Sequence, residues 1–255
     1  MRTLTPAEKL LRSLGITSPT EIDVEAIAWD AGADVRFAQL DSCEARIIGY
    51  GERAIITVEE RSLPTRKRFS IAHELGHWRY HRGRSFVCRK DDIGNPTRGP
   101  ADPERVADAY AADLLLPAYL FAPLAGKTKR TTFEAIDSLR AEFQTSRTAT
   151  ALRMVDYGPE PAMLVCHSPT GRLWFKRGPD VPDRWFPRAE LDAESFAFEV
   201  LHGRTERTPR SLIGADAWFD RRDAEQYEVF EQTVRTAAGG SLTLLTFKST
   251  EMLES

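Results

Sequence analysis

Arg66–Gly83 reads RKRFSIAHELGHWRYHRG and contains His73-Glu74-Leu75-Gly76-His77, an H-E-x-x-H motif. On a helix, residues four apart differ by only about 40° around the axis, so the imidazoles of His73 and His77 reach one point in space. Glu74 lies about 100° from His73 and flanks that point without occupying it. The two histidines suit a metal ion, and Glu74 stands where a general base for an attacking water belongs. Phe69, Ala72, Gly76 and Tyr80 share the histidine side, while Ile71, Leu75 and Trp78 cover the other. Such a helix is expected to be buried nearly all round.

Two imidazoles do not complete a metal site. Asp102-Pro103 opens a second helix, with Asp as cap and Pro in the first position. It carries Glu104, Ala107, Asp108 and Ala111 on one face, and the alanines allow close approach to the motif helix. Glu104, 27 residues after His77, is the candidate third ligand. Asp108, one turn on, is placed to accept the other N–H of His73, which fixes that ring's tautomer. Two nitrogens, one carboxylate and an open position describe a catalytic Zn2+ site rather than a closed structural one. Tyr110, His81, His167 and His202 are candidates for oxyanion stabilisation by chemistry alone, and His81 also reads as a capping or packing histidine.

The chain of 255 residues is 42% hydrophobic and 29% charged, enough for a sizeable core and two domains. No run approaches the roughly 18 apolar residues of a membrane span, and the start has no apolar signal region. Three well-separated cysteines, Cys43, Cys88 and Cys166, argue against a disulfide framework and for a reducing cytoplasm. The net charge of −3 gives no global attraction to nucleic acid. Locally, Arg61–Lys90 holds nine Lys/Arg and one acid, Glu74. That run reads either as a solvated helix face or as an anion-binding surface beside the site.

In chain order, helices are expected at 5–14 and 23–32, and strands at 35–38, 45–50 and 53–58. Pro64 is expected to break the chain, with Thr65 capping the motif helix, and 84–101 to form an irregular loop. Amphipathic helices at 132–143 and 146–155 have helix-turn-helix spacing but no dense basic face. Gly158–Pro161 reads as a linker. Beyond it, strands at 162–167, 172–176, 215–219, 227–235 and 241–247 with a helix at 191–201 suggest a small sensor-like domain.

The stretches RKRFSIAHELGHWRYHRG, DPERVADAYAADLLLP and IDVEAIAWDAGADVRF resemble the ImmA/IrrE family of metallopeptidases over about residues 5–157. The resemblance implies an α+β chain. A gluzincin-like zinc metallopeptidase domain at 1–157 would include the helix pair at 131–156, and a GAF-like α/β sensor domain would follow at 160–255. It implies His73, His77 and Glu104 as zinc ligands, with Glu74 as catalytic acid/base. It further implies cleavage of a helix-turn-helix repressor that derepresses a stress or anti-phage operon after DNA damage. The segment DSCEARIIGYG and the chain length resemble the CapP-like, CBASS-associated members of that family. That likeness implies activation by single-stranded DNA, for which Arg79, Arg82, Arg84, Arg89 and Lys90 are candidate contacts. It also implies a cysteine switch at the zinc, with Cys43 the first candidate and Cys88 the second; an inert thiol is the plain alternative. The competing function class is a DNA-binding transcriptional regulator whose zinc site is structural.

Overall fold

A computed structural model describes residues 3–80, 86–88 and 102–254. The chain divides into two compact units, Met1–Phe121 with Arg140–Ser146, and Ala122–Leu139 with Arg147–Ser255. This division differs from a boundary at residue 157. Within the second unit the helix over Arg147–Tyr157 packs on the strands Ala162–Ser168 and Gly171–Arg177, and the Phe133 N–H donates to Gln232 Oε1 at 2.8 Å.

In the first unit, α1 (Pro6–Ser13) opens with a capping box. The Thr5 hydroxyl accepts the Glu8 N–H, and the Glu8 carboxylate accepts the Thr5 N–H. Asp23 caps α2 (Val24–Asp30). Strands β1 (Ala33–Ala38), β2 (Ala45–Tyr50) and β3 (Arg53–Glu59) follow, and β4 (Phe86–Cys88) adds an edge inside the stretch expected to be irregular. The sheet order is β1-β3-β2-β4, with β1 parallel to β3 and the other pairs antiparallel. Ala45 faces Val58 and Ile47 faces Ile56 across β2 and β3, and all four are buried.

Helix α3 (Pro64–Tyr80) packs against β2, β3 and α2. It begins at Pro64 itself rather than at a cap on Thr65. A proline has no N–H to lose in the first turn, where none is used. Every residue from Ser70 to Trp78 is buried. Trp78 fixes the helix twice: its ring fills the space beside Gly49 of β2, and its Nε1–H donates to the Ala31 carbonyl at 2.8 Å. Helix α4 (Pro103–Leu115) is capped by Asp102, which accepts the Glu104 N–H at 2.9 Å. A short α5 (Ala118–Ala125) follows. The sequence reading passed over it because Pro123 interrupts it and its apolar residues show no helical stripe.

The second unit contains α6 (Phe133–Phe143, whose last turn belongs to the first unit) and α7 (Arg147–Tyr157). Its sheet is built from β5 (Ala162–Ser168), β6 (Gly171–Arg177), β7 (Ser211–Gly214), β8 (Glu228–Arg235) and β9 (Ser241–Phe247), in the order β6-β5-β9-β8-β7. All its pairs are antiparallel. The core on one face gathers Met163, Val165, Trp185, Trp218, Phe219 and Leu245. Two expectations are corrected. The helix read at 191–201 is α8 (Phe196–His202), starting where the Ser195 hydroxyl accepts the Phe198 N–H. The strand read at 215–219 lies earlier, as β7, and Ala215–Ala217 forms a 3-10 turn. The apolar content of AWF there serves the core without extended backbone. Among the described residues, no helix is long and apolar enough to cross a membrane.

Candidate metal centre

Helices α3 and α4 place three side chains around one point. His73 Nε2 and His77 Nε2 are 3.1 Å apart. Glu104 brings one carboxylate oxygen to 3.2 Å from His73 Nε2 and the other to 3.4 Å from His77 Nε2. Three ligand atoms held 2.0–2.2 Å from a tetrahedral zinc would be about 3.3 Å apart, so the donor set fits the ion. Among the described residues, His73, His77 and Glu104 form the one group able to hold a metal.

Asp108 settles the tautomer. Its Oδ1 lies 2.9 Å from His73 Nδ1, and an ionised carboxylate only accepts, so Nδ1 carries the hydrogen and Nε2 keeps its lone pair for the metal. Asp108→Asn is expected to weaken zinc binding by about 10- to 100-fold, the usual cost of losing such a support. Competition against a chromogenic chelator measures it; unchanged affinity would leave Asp108 with a packing role.

Without metal the cluster shares protons. Burial disfavours charge on His73, but the Asp108 and Glu104 carboxylates outweigh it and push its pKa up to about 9. Burial likewise opposes the Glu104 charge, yet hydrogen bonds from His73 and His77 hold its carboxyl well below the usual range. The sign follows for the metal-free protein. A raised histidine pKa stabilises the fold below the unfolded value of about 6.5, and that contribution fades as pH rises through about 9. Metal must displace the proton, so binding at pH 7 is expected to release about one proton and to weaken as pH falls. Calorimetry in two buffers of different ionisation enthalpy checks this; buffer-independent heats contradict it.

The spacing of the two helices rests on Gly76. A Cβ there would lie 2.8 Å from the Ala107 Cα and 3.1 Å from its carbonyl oxygen. Gly76→Val is expected to destabilise the fold by about 1–3 kcal/mol through overpacking. It should also pull Glu104 from the histidines, weakening zinc binding together with stability. Urea unfolding and zinc titration read the two effects; wild-type values in both contradict the account.

Glu74 is fully buried. Cys43, 9% exposed, precedes β2 and is not in the ligand group. Its thiol pKa is raised, mainly by burial, with Glu74, Glu44 and Glu59 adding to the rise and Arg46 opposing it. The loop bearing it is pinned at both ends. Glu59 accepts the Leu40 N–H at 2.7 Å, and Glu44 accepts the Ser62 hydroxyl at 2.7 Å. Sequence reasoning missed these acids, whose partners are distant along the chain.

Tyr110 points away from the ligand face of α4 into a cavity of about 230 Å³ shared with Pro6, Tyr80, Arg105 and Asp113. Burial pushes its phenol up to about 12. His167 and His202 belong to the second unit. Arg79 is exposed at the end of α3. His81, Arg82, Arg84, Arg89 and Lys90 lie outside the described residues, as does the Cys88 side chain.

The IrrE N-terminal-like family model, Peptidase_M78, matches residues 28–155, half of the chain. The chain belongs to the M78 peptidase family. The match spans both helices that build the ligand cluster. A solved structure described as a Mycobacterium tuberculosis transcriptional regulator is similar, with a TM-score of 0.60. The alignment covers 96% of this chain and 87% of that one at 16% identity, a likeness of fold alone. No curated protein matches the sequence. M78 membership gives a peptidase frame to a site whose donors were assembled from geometry.

Proposed function

We propose that the chain is a zinc-dependent, site-specific endopeptidase that cleaves a helix-turn-helix repressor and thereby derepresses a stress or anti-phage defence operon. The observation that carries the peptidase reading is the convergence of His73, His77 and Glu104 with a buried glutamate one residue after the first histidine. His73 and His77 would hold the ion through Nε2 and Glu104 through its carboxylate, with Asp108 orienting His73. Bound zinc would supply Lewis acidity toward the scissile carbonyl and the attacking water. Glu74 takes the proton from that water and returns it to the leaving amine. Its burial excludes bulk solvent from the transfer.

Single-stranded DNA is the proposed trigger, supported by the basic run Arg61–Lys90. The second unit is assigned a GAF-like sensor role, supported by its five-stranded antiparallel sheet with a core on one face. A cysteine switch through Cys43 is part of the proposal, supported by its place just before β2, the strand that packs against α3. The test is incubation with the helix-turn-helix protein encoded beside this chain, with and without single-stranded DNA and with a chelator. Cleavage at one bond, enhanced by DNA and abolished by chelation, is expected. No cleavage under any condition, with duplex binding that survives chelation, would instead favour a DNA-binding regulator.

A further inference from the structure

Helix α3 carries a polar side chain that neither the ligand cluster nor the packing of the helix accounts for. Ser70 is fully buried, and its hydroxyl has no hydrogen-bond partner among the described residues. A helical serine can bond back to the carbonyl four residues before it, here that of Arg66. That bond is not made. A buried hydroxyl left this way opposes folding, so a partner is expected.

Its place on the helix shows which partner. At about 100° per residue, Ser70 lies about 60° around the axis from His73, with His77 at about 40° and Glu74 at about 100° on the same side. Ser70 therefore falls between the direction of the ligand imidazoles and that of Glu74. Glu74 is four residues on, a spacing that stacks two side chains with Cβ atoms about 5–6 Å apart. Long side chains on a helix lean back toward its N-terminus, over the residues three and four before them. For Glu74 those are Ile71, which is apolar, and Ser70, which brings a donor. Ser70 and Glu74 are both fully buried, so bulk water competes for neither.

We propose that Ser70 is a positioning residue for the cleavage reaction: its hydroxyl donates to one carboxylate oxygen of Glu74 and leaves the other to face the attacking water. The assignment rests on the peptidase reading and on Glu74 as its general base. A carboxylate turns about its last bond with little preference of its own. Proton transfer needs one oxygen held within hydrogen-bond reach of the water. A donor on the second oxygen supplies that hold from a rigid helix. Hydrogen bonds of this kind are often long or poorly aligned before substrate binds and tighten in its complex.

The test compares Ser70→Ala with Ser70→Thr, which restores the hydroxyl, in the full zinc-loaded chain. Alanine is the better helix former, so Ser70→Ala is expected to fold with a Tm at or above the wild-type value. Single-turnover cleavage of the helix-turn-helix protein encoded beside this chain, at saturation, is expected to slow about tenfold in Ser70→Ala, roughly what one hydrogen bond to a charged group is worth. It is expected to recover in Ser70→Thr. The half-saturating substrate concentration and the zinc affinity are expected to stay at wild-type values, which a loosened α3 would not allow. A second readout needs no cleavage. With 13Cδ-labelled glutamate, the Glu74 carboxylate resonance, assigned by its loss in Glu74→Gln, is expected to move in Ser70→Ala and to return in Ser70→Thr. A wild-type rate in Ser70→Ala, or a Glu74 resonance unmoved by that substitution, overturns the proposal and leaves the peptidase reading standing. A wild-type chain that cleaves nothing overturns the peptidase reading and the positioning role with it, while the resonance still reports whether Ser70 and Glu74 are bonded.

Discussion

Glu74→Gln is expected to retain zinc and to lose peptide cleavage by at least about a hundredfold, the lower end of what a positioned general acid–base supplies. The amide has the shape of the carboxylate, so the fully buried pocket stays filled. It cannot take a proton from water, and it cannot return one to the leaving amine. Ligation is untouched because Glu74 is not in the ligand group. Metal content and single-turnover cleavage, measured on one preparation, separate the two effects. Zinc retained with cleavage lost supports the assigned role. Cleavage at the wild-type rate would remove Glu74 from the chemistry.

The second large effect is expected from Glu104→Ala. The carboxylate lies within 3.4 Å of both imidazoles and is the one member of the candidate ligand group on α4. Its loss leaves two nitrogens on one helix, too few to hold zinc in a catalytic site. A ligand that binds only the folded state stabilises it by about 2.7 kcal/mol at a concentration 100 times its dissociation constant. The wild-type protein should therefore melt higher with zinc, and Glu104→Ala should show no such gain at the same concentration. Without metal the substitution also removes one carboxylate that holds the His73 proton, so the pH at which that proton leaves should fall. An undiminished zinc-dependent rise in Tm would move the third ligand elsewhere.

The candidate centre was legible because its information is local. His73, Glu74 and His77 sit on one helix whose period fixes their directions, and Asp102-Pro103 announces the helix that carries Glu104 and Asp108. The early strands were readable for a similar reason, since β2 alternates inward Ala45 and Ile47 with outward Arg46 and Ile48. Helix α5 escaped because its run is short, apolar and broken by Pro123. Strand β4 escaped because three residues carry no periodicity. The strand order β6-β5-β9 was invisible for a different reason: it joins segments far apart in the chain, and no local pattern states that pairing. The acids Glu44 and Glu59 are similar cases, solvent-like in sequence and buried in the fold.

The family match and the ligand geometry bear on the same claim from independent directions. Half the chain fits a peptidase family, and the donors lie where a tetrahedral ion would hold them. The most direct measurement is anomalous diffraction at the zinc absorption edge from crystals of the full chain. The account predicts one strong peak, about 2.0–2.2 Å from His73 Nε2, His77 Nε2 and a Glu104 oxygen, with no fourth protein ligand in the active form. No peak at that point, or a peak closed by four protein ligands in the form that cleaves, would contradict it.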